Sequence, residues 1–328
     1  MSARINRRET ITLLGGAAAW PLAARAEQPL SVIGYLAPGS AAGNVARLPP
    51  FKQGLSETGH VEGQNIVLEY RYAGNQYDRL PALAADLVRR KPVVIFAFGL
   101  SAAQAVQAHT ATIPIVFRMG EDPVKESLVA SLNRPGGNIT GFSGFGNLLF
   151  PKRLQLLNEI VPKPAPLALL VNPDNPNAEP DTRDTQAAAI TLGRELLALT
   201  ASSGRSIEEA FLALAQRRAG GLIVGVDPMF FDRRDQIFAL AVRSAIPAIY
   251  ERRDYPVAGG LMSYGTNEDE QFRQCGIYLG RILNGEKPAD LPVLQATKFE
   301  FVINLRIAKV LGLDIPPGVL AIADEIIE

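Results

Sequence analysis

Short apolar runs and amphipathic stretches alternate along most of the chain. LSVIGYL, from Leu30 to Leu36, is rich in β-branched residues and closes at Ala37-Pro38-Gly39. IVLEYRYA alternates apolar and polar positions, PVVIFAFG is continuously apolar, and IPIVFRM and NITGFSG follow. Period-two alternation and unbroken apolar runs of this length predict strands, the unbroken ones buried on both faces. Between them, ARLPPFKQGLSETG, YDRLPALAADLVRRK and SAAQAVQAHT carry a helical period; in the second, Leu80, Leu83, Ala84 and Leu87 share one face. Strands separated by such helices predict βαβ units and a parallel sheet.

The pattern then restarts. After the helical LFPKRLQLLNEI and the proline-rich step VPKPAP come LALLVNP, LLALTA, GLIVGVDP and IPAIYE as strands. The helices TRDTQAAAITLGRE, SIEEAFLALAQRR and FFDRRDQIFALAVRSA are interleaved with them, giving a second α/β sheet. Further on, a short strand precedes a helix opened by Asn267 and Glu270 in capping-box spacing and stopped by Gly285 and Pro288. The alternating KFEFVINL follows. This leftover strand–helix–strand predicts that the chain returns to the first lobe and crosses again. Residues 27–142 with 265–298 then form one lobe, and 143–264 with 299–328 the other.

Composition narrows the classes. The 328 residues are 47% hydrophobic and 20% charged, a globular balance long enough for two lobes. Lys plus Arg equals Asp plus Glu, 33 against 33, which argues against a nucleic-acid partner. Cys275 is the single cysteine, so no internal disulfide is possible. The opening residues read as an export signal. Arg7-Arg8 precede a short apolar run from Ile11 to Ala24, too short to span a bilayer, and Ala24-Arg25-Ala26 is a small-x-small triplet. The expectation is a signal peptide over residues 1–26, cleaved after Ala26, with the arginine pair pointing to the twin-arginine route and the general route left open. The mature protein is then expected in the periplasm.

The catalytic motifs are missing. The sequence has no GxxxxGK[ST] phosphate loop, no HExxH, and no GxGxxG after the first strand. One cysteine and two histidines, His60 and His109, cannot build a usual zinc site, so neither metal nor cofactor is expected. Gly99-Leu100-Ser101-Ala102-Ala103 nearly matches a nucleophile elbow. The only later histidine, His109, lies two turns down the same helix and cannot turn back onto Ser101. The same stretch reads as an anion site, with free amides and a hydroxyl at a helix start, or as an ordinary N-cap at Ser101. Polar residues also end other strands: Tyr35, Arg118 with Glu121-Asp122, Asn172, Asp227 and Tyr250. Ligands bind at the carboxyl ends of parallel strands, and two such sheets facing each other would line a cleft.

Four stretches in this order, ESLVASLNRPGGNITGFS, GGLMSYGTNEDE, ILNGEKPADLPVLQATKFEFVINLRIAKVLGL and IPPGVLAIADEIIE, resemble the substrate-binding protein family of ABC transporters. Some of its members bind tryptophan or related aromatic amino acids. The resemblance implies an α/β, type I periplasmic-binding-protein fold: two Rossmann-like lobes with parallel sheets, joined by three crossovers around a ligand cleft. It implies a non-enzymatic, monomeric receptor that closes on a small solute and delivers it to an inner-membrane permease. Carried onto this chain, the ligand positions are Tyr35, Ser101, Ala102, Glu121, Asp122, Asn172, Asp227 and Tyr250. Ser101 and the amides after it would hold a carboxylate, Asp227 or Asp122 an amine, and Tyr35 and Tyr250 an apolar ligand body. A sensor subunit of a signalling system, or an exported Ser101 hydrolase, are the alternatives.

Overall fold

The computed structural model describes residues 30–162 and 164–328; the signal reading over residues 1–26 lies outside them. The first five strands are β1 (Ser31–Ala37), β2 (Ile66–Tyr72), β3 (Val94–Phe98), β4 (Ile115–Met119) and β5 (Ile139–Ser143). The next five are β6 (Leu167–Val171), β7 (Leu196–Thr200), β8 (Gly221–Val224), β9 (Ala248–Tyr250) and β10 (Met262–Thr266). Three more close the chain: β11 (Leu294–Gln295), β12 (Phe299–Asn304) and β13 (Glu325–Ile327).

Among the described residues these strands form two sheets, ordered β11-β5-β4-β3-β1-β2 and β13-β12-β10-β9-β8-β6-β7. The first is parallel throughout. The second is parallel except where β12 runs antiparallel to β10. Each sheet therefore repeats one doubly wound order in which the first strand of the lobe lies between the second and the third. In that order the crevice between the first and third strands, beyond their carboxyl ends, is the place where the winding reverses and ligands bind.

Each sheet is covered on both faces, which is why its strands read as nearly continuous apolar runs. Along β1, Ile33, Tyr35 and Ala37 pack with Phe51, Phe96 and Phe272, while Leu36 turns to the opposite face with Leu87, Ile95 and Phe117. The second sheet likewise has one core around Leu170, Leu222, Phe230 and Tyr250 and another around Leu157, Leu169, Ile223 and Ile303.

The chain passes between the sheets three times: from β5 into the helix Phe150–Ile160, from β10 into the helix Glu268–Leu283, and from β11 to β12. The helix Glu268–Leu283 packs on Leu48–Glu57 so closely that backbones touch. A Cβ on Gly276 would stand 2.2 Å from the Phe51 carbonyl oxygen, and one on Gly54 1.9 Å from that of Arg273. At its start Asn267 accepts the Glu270 amide at 2.9 Å. The expected reciprocal half of the capping box is absent, because the Glu270 carboxylate is taken by Arg273 and Gln274.

Candidate ligand-binding cleft

The two reversal points face each other across a cleft of about 80 Å³. From the first sheet come Pro38, after β1, Phe98, the last residue of β3, and Gly99, Leu100 and Ser101, after it. Gly99 sits at φ 87°, a conformation costly for any residue with a Cβ. That turn starts the helix Leu100–Gln107 directly at the cleft. Gly99 occupies the N-cap position and has no side chain to satisfy the first amides. Ser101 is therefore not the cap; its hydroxyl and the open amides of the first turn border the cleft together, where the helix dipole favours an anion.

The opposite wall belongs to the second sheet. Asn175, Asn177, Val226 and Pro228 follow β6 and β8, and Glu251 and Arg252 follow β9. Behind them Asp227 organises the wall. Its Oδ1 accepts from the Met229 amide at 2.8 Å and from Asn172 Nδ2 at 3.2 Å; its Oδ2 accepts from Asn175 Nδ2 at 3.0 Å. The fourth donor comes from the other lobe, Tyr77 Oη at 2.9 Å. Burial raises the Asp227 carboxyl above its ordinary value, and these four donors pull it back.

Charge gathers where the crossovers meet. Glu268, at the start of its helix, pairs with Arg47 at 3.2 Å, Arg118 at 3.3 Å and Arg252. Arg252 lies over the Phe231 ring at 3.7 Å, and its Nη2 is buried without a hydrogen-bond partner. Arg153, 1% exposed, donates through Nε to the Tyr264 carbonyl at 2.8 Å, while its Nη1 has no partner. Burial lowers both guanidinium pKa values to about 10, so both remain charged at neutral pH. Glu251 is the nearby acid that acts on all four arginines. Glu121 accepts from the Gly120 amide at 3.0 Å and from Asn177 Nδ2 of the opposite lobe; burial raises its pKa.

Of the residues anticipated from the sequence, Ser101 and Glu121 border the cleft. Asn172 and Asp227 stand one layer behind. Ala102 is buried in the helix's packed face, and Asp122 caps the turn after β4 by accepting the Val124 amide at 3.0 Å. Tyr35 and Tyr250 lie in the cores: Tyr35 is ringed by Phe51, Tyr70, Tyr72 and Phe96, and Tyr250 stacks on Tyr255 at 4.6 Å. Both belong to the strands proper, and side chains of a sheet covered on both faces go under helices. The strand residues that reach the cleft stand at the carboxyl ends: Phe98, Arg118, Met119 and Thr266. Tyr77, Asn175, Asn177, Arg153 and Arg252 were not anticipated. The dense NPDNPN run and the polar Glu251-Arg252 step after a strand were the available signals. Neither histidine lines the cleft: His109 contacts the Ala105 carbonyl of its own helix and His60 lies beside Thr58. Among the described residues no cluster of His, Cys, Asp and Glu could hold a metal ion.

Paired doubly wound lobes with a polar cleft between their reversal points define a solute-binding protein of the type I periplasmic-binding-protein fold. The chain belongs to the ABC transporter substrate binding protein family, whose sequence pattern matches residues 41–327. It is 26% identical over 254 residues, 77% of this chain and 73% of the other, to a tyrosine-binding protein of Clostridioides difficile strain R20291. A conserved domain protein from Vibrio cholerae O1 biovar El Tor has a similar structure, with a TM-score of 0.81 at 26% identity, covering 90% of this chain and 99% of that one. An ABC domain from Streptococcus pneumonia in complex with L-Trp gives 0.79 at 22% identity, covering 91% and 100%.

Proposed function

We propose that this protein is the solute receptor of an ABC importer, working in the periplasm as a monomer and binding a small carboxylate-bearing solute between its lobes. The observation that carries this reading is the convergence of both reversal points, with an uncapped helix start from one sheet and an asparagine-rich wall from the other, on one cleft. The Leu100–Gln107 amides and Ser101 hold the carboxylate. An amine, where the solute has one, faces Glu121 or Glu251. Hydrogen bonds to both lobes shift the population to the closed form, which the permease reads. The curated relative that is a tyrosine-binding protein supports an amino acid or aromatic acid as the class.

The test is a thermal-shift and calorimetric screen of the protein against amino acids, aromatic acids and small carboxylates. A solute that binds only the folded state at a hundredfold excess over its Kd stabilises it by about 2.7 kcal/mol and raises Tm. Saturable binding by one class supports the reading; no binding by any sinks it. Uptake of the hit solute that is lost on gene deletion distinguishes import from sensing.

A further inference from the structure

We infer that Phe145, in the first crossover, is a strained hinge residue whose backbone opposes the arrangement in which the lobes meet over the cleft. A bound solute must offset that strain. The inference rests on the receptor reading above, in which the lobes close on a solute, and adds a device that sets how readily they do so.

The first crossover can be assigned residue by residue. As far as Gly144 the chain is fixed to the first sheet. The Gly144 N–H donates to the Met119 carbonyl at 2.9 Å, and the Ser143 carbonyl accepts from the Ala296 N–H at 3.2 Å. From Phe150 onward it is fixed to the second, because Phe150 is fully buried in that sheet's core with Leu154 and Leu157. Gly146–Leu149 form a single 3₁₀ turn, with the Leu148 N–H donating to the Phe145 carbonyl at 3.0 Å. Phe145 therefore joins the last residue held by one lobe to the turn that enters the other. A rotation of the lobes about this crossover passes through its torsions and those of Gly144 and Gly146 beside it. Glycine accepts such changes freely, so Phe145 is the residue that gives the joint a preferred direction. Gly146, the next residue, lines the cleft.

The torsions of Phe145, φ 47° and ψ 27°, lie in the left-handed region. That region is narrow and unfavourable for a bulky residue with a Cβ. The other described non-glycine residues with positive φ have local reasons for it. Lys91, Arg218 and Ala245 end helices, and each closes an N–H bond onto the last turn, to the carbonyls of Val88, Ala215 and Val242. Ser127 closes a turn onto the Val124 carbonyl, and Asn75 is of a type that tolerates the region. Phe145 follows a strand instead, and its ring joins none of the four hydrophobic cores. Such a conformation persists only where its surroundings impose it. Here the two lobes impose it from either side, and the bonds Tyr77–Asp227, Asn75–Asp232 and Asn177–Glu121 fix one lobe against the other. When those bonds break and the lobes turn, Phe145 leaves the left-handed region and the strain is released.

The experiment is small-angle X-ray scattering of the full-length chain without solute, for the wild type, Phe145→Gly, Phe145→Leu and Phe145→Val. Each is measured alone and with Tyr77→Phe, which removes one interlobe bond and so keeps the separated arrangement populated. Glycine removes the left-handed cost and should shift the ratio toward joined lobes by about five- to thirtyfold, giving a smaller radius of gyration in at least one background. Valine, β-branched and harder to hold at positive φ, should shift it the other way. Leucine keeps the backbone cost and loses the ring, and should scatter like the wild type. Phe145→Gly scattering like the wild type in both backgrounds overturns the inference. So does Phe145→Leu moving as far as Phe145→Gly, which assigns the effect to the ring. None of these measurements uses a solute, so their failure leaves the receptor reading to the screen above.

Discussion

Glu121 takes its hydrogen bonds from a backbone N–H and the Asn177 amide, not from a guanidinium. Surrounding protein strips water from its carboxylate, and that desolvation outweighs the donors, so its pKa rises above the ordinary 4.5. The sign follows from linkage. A carboxyl whose folded pKa is raised contributes stability that is fully present below 4.5 and is lost as pH rises through the folded value. Glu121→Gln removes this titration; its one carbonyl oxygen keeps either the Asn177 or the Gly120 contact and its NH2 faces the other donor, a cost that does not vary with pH. The variant should gain stability relative to the wild type as pH rises from 4.5 to 7, with a constant difference between the two below pH 4. Urea unfolding at a series of pH values checks this; parallel curves for the two proteins would refute it. Exposed pairs such as Arg253–Glu325 work in the opposite direction, because their carboxylates are held below the ordinary value and lose their contribution on acidification.

At the scale of elements, the helix Glu268–Leu283 carries the second crossover and anchors it to the first lobe through glycine. With the Phe51 carbonyl 2.2 Å from a Cβ on Gly276, the clash is with backbone that no rotamer change can relieve. Gly276→Ala should cost about 3 kcal/mol and lower Tm by roughly 6–12 °C. Gly318→Ala, where a Cβ would meet nothing within 4 Å, is the control and should leave Tm unchanged or slightly higher. A scanning calorimetry trace separates the two. Such contacts are invisible to a sequence reading, in which Gly276 is only a weak spot in a helix. The strands were legible because a buried parallel strand must be apolar throughout, as VIFAF and LALLV are. The helix anticipated across Phe230–Ala245 is in fact two, Pro228–Asp232 and Arg234–Arg243. Asp227 caps the first and Pro228 starts it, while Arg233 leaves helical geometry between them. In the cleft, the Gly99 turn and Ser101 were legible from local chemistry. Arg153 and Arg252 were not, because an arginine in an amphipathic helix or after a strand reads as solvated, and only tertiary burial marks it out.

Across the whole molecule, a few side-chain bonds join the two lobes over the cleft. Tyr77 Oη reaches Asp227 at 2.9 Å, Asn75 Nδ2 reaches Asp232 at 2.8 Å, and Asn177 donates to Glu121. Gly39 approaches Pro228 so closely that a Cβ there would be 3.0 Å from the proline's. Tyr77, Asn177, Glu121 and Pro228 also line the cleft, so under the proposed closure a solute and these links act on the same equilibrium. Glu268, at the second crossover, pairs with Arg47 and Arg118 from the first lobe and Arg252 from the second. Tyr77→Phe keeps the ring and removes one hydrogen bond to a carboxylate, worth about 1.5–3 kcal/mol. That shift moves the open–closed ratio by roughly ten- to a hundredfold, and a solute that binds the closed form must then supply the difference. The expected outcome is a larger radius of gyration for the ligand-free variant by small-angle X-ray scattering. Its affinity for the bound solute should fall by about tenfold or more, yet at saturating solute it should scatter like the wild type. If scattering and affinity are both unchanged, the Tyr77–Asp227 bond holds the wall of the second lobe in place without setting the closure equilibrium.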